Sequence, residues 1–127
     1  MGDLSEHFSR SEFACQCGCG ANQVSPVLIG RLEKMRGLAG IPFDLRSGCR
    51  CPAHNAAVKG RADSAHLTIP GTSEVCEAAD IATPDSRTRF MVMWAAIMAG
   101  FERIEDALTW IHVDVDKSKD QRVLFRT

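Results

Sequence analysis

Ser47-Gly48-Cys49-Arg50-Cys51-Pro52-Ala53-His54-Asn55 opens the stretch whose reading decides the fold. Ser64-Ala65-His66 and Ala78-Ala79-Asp80-Ile81 follow it, and Trp110-Ile111-His112-Val113-Asp114-Val115 answers it near the end of the chain. Phe43 to Ser47 alternates and reads as a short strand that Gly48 ends. Pro52 to Val58 reads as one or two helical turns, and the polar run Lys59 to Ser64 as a loop that delivers His66. Glu77 to Ile81 reads as a short buried strand bearing Asp80, and Leu108 to Val115 as the clearest strand in the chain. Side chains alternate across a strand, so Ile111, Val113 and Val115 share one face while Trp110, His112 and Asp114 share the other. A carboxylate buried among apolar neighbours is costly without a cation or several donors, and Asp80 therefore needs a partner. A zinc ion held with His66 and His112 is one such partner, and a salt bridge to Arg50 is the other. Two imidazoles and one carboxylate would leave the fourth tetrahedral position of zinc open, as a catalytic zinc requires.

Outward from this stretch the chain supplies helices and turns. Ser9-Arg10-Ser11-Glu12 fits a capping box, and Cys17-Gly18-Cys19-Gly20 breaks any helix there within two turns. Ser25-Pro26 starts a helix with a capping serine and a proline at the first helical position. Leu28, Leu32 and Met35 give that helix one apolar face, and Gly37 with Gly40 is expected to end it. Thr83-Pro84 opens the longest helix, running to about Ala99 with Gly100 closing it, and Phe90, Met93, Trp94 and Ile97 are expected to be its core stripe. Pro70-Gly71 marks a turn. Phe101 to Ile104 and Val123 to Phe125 are candidate strands, the second at a sheet edge. The expected fold is α+β: a small, mainly antiparallel sheet flanked by helices, with the candidate zinc in a groove on the open face.

The totals set limits. A chain of 127 residues, 45% hydrophobic, suits one domain over residues 1–127. Fifteen Lys and Arg against sixteen Asp and Glu give a net charge of −1, which argues against a nucleic-acid surface. No apolar run reaches the roughly 18 residues of a membrane helix, and no signal peptide is recognisable in residues 1–20. The expected partners are therefore neither membrane nor nucleic acid, and a monomer is expected.

Six cysteines is many for this length. Cys15, Cys17 and Cys19 with Cys49 and Cys51 form a candidate structural zinc site, although Cys-x-Cys is tighter than the usual spacers. A disulfide from the first cluster to Cys49 or Cys51 is a second reading, and reduced buried thiols are a third.

Ser47-Gly48-Cys49-Arg50-Cys51-Pro52-Ala53-His54-Asn55-Ala56-Ala57-Val58, Ser64-Ala65-His66, Ala78-Ala79-Asp80-Ile81 and Ile111-His112-Val113-Asp114-Val115 resemble the zinc D-Ala-D-Ala carboxypeptidase family, peptidase family M15. They are most similar to its small single-domain branch, common among phage endolysins and bacterial wall hydrolases. The opening Leu4 to Cys19 and the closing Arg122-Val123-Leu124-Phe125 are similar too. The resemblance implies a hedgehog/D-Ala-D-Ala-peptidase-like fold and hydrolysis of peptidoglycan stem peptides. It implies Zn2+ held by His66, Asp80 and His112, and Arg50 as the cation that grips a substrate carboxylate or polarises the scissile carbonyl. Ser64 would hydrogen-bond near His66. It also implies action at the cell wall after synthesis in the cytoplasm and release, as for a phage-encoded lysin.

Two positions depart from the family pattern. Thirteen residues, Leu67 to Ala79, separate His66 from Asp80, more than the family usually has. Thr109 stands three residues before His112, where much of the family carries its general base. Asp114 is the nearest substitute, with Glu77 and Asp106 behind it, and a carboxylate that orients a histidine is an equal reading of Asp114. A catalytically silent zinc-bearing binding or phage assembly module is the alternative function, and a cysteine-zinc nucleic-acid module a third.

Overall fold

The computed structural model describes residues 2–69 and 72–126, so the Pro70-Gly71 turn lies outside the described residues. Among the described residues nine elements follow in order: α1 Arg10–Phe13, α2 Pro26–Ala39, β1 Leu45–Ser47, α3 Pro52–Ala57, β2 Ala78–Ala82, α4 Ser86–Met98, β3 Arg103–Asp106, β4 Trp110–Asp114 and β5 Val123–Arg126. The strands form one sheet in the order β1-β2-β4-β3-β5. All pairings are antiparallel except that of β3 with the edge strand β5. The fold is thus α+β with a mainly antiparallel sheet, as the pattern of motifs implied.

Local chemistry explains the helix ends. Ser25 Oγ accepts from Leu28 N–H at 3.3 Å, and Pro26 occupies the first turn of α2. Gly40 ends α2 in the left-handed conformation at φ 67°, with its N–H on the Arg36 carbonyl at 3.1 Å. Gly37 does not end the helix; α2 runs through it, because a lone helical glycine only weakens the element. Around α1, Glu12 Oε2 accepts from Ser9 N–H at 2.8 Å, the return half of the expected capping box. α4 begins after Thr83-Pro84, at Asp85, whose Oδ1 caps Thr88 N–H at 2.7 Å.

The core lies between one sheet face and the helices α2 and α4. Leu28, Leu32 and Met35 of α2 are fully buried against Ile81, Ile111, Val113 and Ile104 of the sheet. α4 corrects the reading of its apolar face. Val92, Ala95, Ala96 and Ala99 face the core and Met93 packs half-buried against it as expected, while Phe90, Trp94 and Ile97 are 67%, 39% and 54% exposed. Both sets repeat at i, i+3 or i+4, i+7, so periodicity is the same and only the phase differs. Small side chains let α4 approach its neighbours closely, and that decides which stripe turns inward.

The opposite sheet face carries the polar residues. Cross-strand partners share a face, and Asp80↔His112, Arg103↔Asp114 and Glu105↔His112 are all paired in register. No described helix is long and apolar enough to cross a membrane.

Candidate metal centre in the cleft

A cleft of about 530 Å³ opens on the polar face, with His66, Asp80, His112, Arg50, Ser64, Glu105, Trp110 and Asp114 among its lining. β2 places Asp80 and β4 places His112 directly across from it, while the loop after α3 brings His66. His66 Nε2 lies 3.2 Å from Asp80 Oδ1 and 3.2 Å from His112 Nδ1, and His112 Nδ1 lies 2.9 Å from the same Asp80 oxygen.

Each imidazole has its other nitrogen fixed. His66 Nδ1–H donates to the Gly48 carbonyl at 2.6 Å, and His112 Nε2–H donates to Asp114 Oδ2 at 2.7 Å. In their neutral tautomers His66 Nε2 and His112 Nδ1 are therefore the nitrogens whose lone pairs would be offered to a cation beside Asp80. The three atoms fit a metal: bonds of about 2 Å in a tetrahedral set leave neighbouring ligands about 3.3 Å apart. The outer hydrogen bonds are those that orient ligand histidines in metal sites.

Electrostatics follow the geometry. Burial alone would raise the Asp80 carboxyl, but hydrogen bonds from His112 and His66 outweigh it and hold Asp80 well below the usual carboxylate range. Burial would lower His112, yet Asp114 and Asp80 hold its proton and push its pKa up to about 9.

Arg50 and Ser64 sit beside this cluster. Arg50 Nη2 is 3.7 Å from Asp80 Oδ2, its Nε–H donates to Ser47 Oγ at 3.3 Å and its Nη1–H to Asn55 Oδ1 at 3.3 Å. Asn55 in turn donates from Nδ2 to the Arg61 carbonyl at 2.9 Å, tying the loop as its sequence position suggests. Gly60 makes room: a Cβ there would lie 2.0 Å from Asn55 Oδ1. Ser64 Oγ accepts from His66 N–H at 3.2 Å.

The remaining carboxylates separate by position. Asp114 is 2% exposed and also takes Arg103 Nε–H at 2.9 Å and Asp116 N–H at 3.1 Å, so it lies behind His112. Asp106 pairs with Arg89 of α4 on the core side, and Glu77 lines a different groove with Asp116 and Lys117. Thr109 Oγ1 accepts from Arg46 at 3.0 Å. Sequence reasoning passed over Glu105, which stands in the cleft wall across from His112. Its signal was the alternation of Arg103 and Glu105 on β3, visible only once β3 is registered against β4.

The long span from His66 to Asp80 leaves the cluster intact. Thr68 N–H bonds the Arg50 carbonyl at 2.9 Å, Ile69 N–H the Glu74 carbonyl at 3.2 Å and Glu77 N–H the Ala65 carbonyl at 2.7 Å. The excursion closes on itself at both ends. One cysteine reading is also revised: Cys49 is disulfide-bonded to Cys76, not to the first cluster. Cys49 and Cys51 alternate, and Cys49 points into the core where Cys76 lies.

Residues 6–114 match the family described as Peptidase M15, and the chain belongs to that family. No curated protein matches the chain. Peptidases of this family are generally zinc-dependent, and His66, Asp80 and His112 are a candidate ligand group of that kind.

Proposed function

We propose that the cleft is the active site of a zinc metallopeptidase that hydrolyses peptide bonds in peptidoglycan stem peptides, as a D,D-carboxypeptidase, D,D-endopeptidase or endolysin. The carrying observation is the meeting of His66, Asp80 and His112, with both outer ring nitrogens already engaged. When bound there, zinc supplies a Lewis acid and lowers the pKa of its water to near 7. His66, Asp80 and His112 hold it, and Asp114 orients His112 rather than acting as the base, since its oxygens already serve His112, Arg103 and Asp116.

Arg50 faces the cleft with a planar fork suited to a substrate carboxylate or the carbonyl oxygen on which charge develops. Ser47 and Asn55 fix its plane, and Ser64 positions His66. Glu105 is the general base in this reading: its carboxylate takes a proton from water in the cleft and delivers it to the leaving amine nitrogen, while hydroxide adds to the carbonyl carbon. The D-Ala-D-Ala bond is the preferred candidate substrate, and the cell wall after release the site of action.

Digestion of purified peptidoglycan with and without chelator tests the reading. Wild type should release stem fragments, lose activity on chelation and regain it with zinc. Glu105→Gln should keep its metal and lose about 10²–10⁴-fold in kcat, the usual range for a missing acid–base group. Intact peptidoglycan after treatment with zinc-loaded wild type would instead leave a catalytically silent zinc-bearing binding module, the reading that Thr109 at the usual base position favours.

A further inference from the structure

We propose that Cys15, Cys17, Cys19 and Cys51 hold a second metal ion, a structural zinc that clamps the N-terminal loop onto the segment bearing Arg50. The four sulfur atoms all lie within 4.8 Å of one another. Cys15 Sγ is 3.4 Å from Cys17 Sγ and 3.7 Å from Cys51 Sγ, and Cys17 Sγ is 3.6 Å from Cys51 Sγ. Zinc–sulfur bonds of about 2.3 Å in a tetrahedron place neighbouring sulfurs about 3.8 Å apart. All four cysteines are unbonded, whereas Cys49, two residues from Cys51, is joined to Cys76 on the core side.

The backbone is arranged around these sulfurs. Cys15 N–H bonds the Ala21 carbonyl at 2.8 Å and Gly18 N–H the Cys15 carbonyl at 3.2 Å, so the loop folds back on itself. Gly18 and Gly20 follow Cys17 and Cys19 at φ 89° and 81°, a conformation that lets three ligands of one short loop converge. Cys51 N–H donates to Cys15 Sγ at 3.4 Å, and His54 N–H at the start of α3 donates to Cys51 Sγ at 3.4 Å. Such donors favour thiolate, the form that binds metal. A four-sulfur set with no open position is the closed type that stabilises rather than catalyses. It is separate from the His66-Asp80-His112 cluster and does not depend on the catalytic reading.

Its consequence is positional. Cys51 follows Arg50 directly, and the Arg50 backbone is itself bonded to His66 and Thr68. A metal at the four sulfurs would fix the C-terminal side of Arg50 to residues 15–19.

The test uses the full chain purified under reducing conditions, with metal content measured and zinc exchanged for cobalt. The His66→Ala/His112→Ala double variant should retain one zinc per chain. Its cobalt form should show thiolate-to-cobalt charge transfer and the visible bands of a tetrahedral sulfur site. Cys15→Ser/Cys17→Ser/Cys19→Ser should abolish that charge transfer while leaving one metal in the His-containing cluster. Wild-type protein loaded with cobalt gives the same charge-transfer signature without any substitution, so a poorly folding variant does not decide the matter. Wild type without charge transfer, or peptide mapping that finds a disulfide among the four cysteines, overturns the proposal. A single zinc lost only in the cysteine variant would uphold it while sinking the catalytic reading.

Discussion

At the scale of single residues, position relative to the cleft separates carboxylates that the sequence treats alike. Asp80 and His112 were legible because a charged or imidazole side chain in an apolar strand demands a partner, and His66 because a polar loop delivers it within Ser64-Ala65-His66. Glu105 was not, because β3 has only four residues and its register comes from β4. Asp114 was legible as a neighbour of His112, but its role depends on Arg103 arriving from the adjacent strand at 2.9 Å. Glu77 shows what the same crowding does outside the cleft. Burial raises its pKa from the ordinary 4.5, and Asp116, Asp114 and Glu74 add to the shift, with Lys119 opposing it. An acid raised in the fold contributes stability below its unfolded value, and that contribution is lost as pH rises through the folded value. Ionised Glu77 is therefore unfavourable at neutral pH. Glu77→Gln should raise the melting temperature near pH 7.5 and change it little near about pH 4. A variant less stable than wild type near neutral pH would show that the carboxylate is held by favourable contacts instead.

At the scale of elements, α2 was fully legible and α4 only half so. In α2, cap, proline, apolar face and terminal glycine agree, and Leu32 is completely buried. α4 carries two apolar stripes of equal period, and hydrophobicity favours the bulky one. The structure turns the small one inward, since a helix lined by Val92, Ala95 and Ala96 can sit closer to α2 and β4 than one lined by Phe90 and Trp94. The two assignments differ sharply in their energetic consequences. Leu32→Ala should cost about 2–5 kcal/mol, a buried transfer and cavity penalty. Phe90→Ser should fall within about 0.5 kcal/mol of wild type, as exposed substitutions do. Urea denaturation of both variants with unchanged m-values reads this directly. A Phe90→Ser loss comparable to that of Leu32→Ala would restore the bulky stripe to the core.

At the scale of the whole molecule, a net charge of −1 conceals an uneven field. The cleft gathers Arg50, Lys59, Arg61, Arg103 and Lys119 around Asp63, Asp80, Glu105 and Asp114. A divalent cation in the centre would make its potential clearly positive, which composition alone does not reveal because the balancing acids lie elsewhere on the chain. Stem peptides end in carboxylates, so a peptide of that class should be steered into the cleft by long-range attraction. Salt screens such steering: the Debye length falls from about 10 Å at 0.1 M to about 3 Å at 1 M. Accordingly, kcat/KM on a soluble stem peptide with a free terminal carboxylate should drop several-fold between those ionic strengths, with kcat nearly constant. Lys59→Glu with Arg61→Glu should lower kcat/KM at low salt and flatten its salt dependence. Both residues line the cleft mouth without touching His66, Asp80 or His112 in any hydrogen bond or ion pair found among the described residues. The metal content should stay at the wild-type level, which separates a lost field from a damaged centre. A salt response identical in wild type and the double variant would mean that the substrate is captured by short-range contacts at Arg50 alone, with the surrounding cations serving the fold.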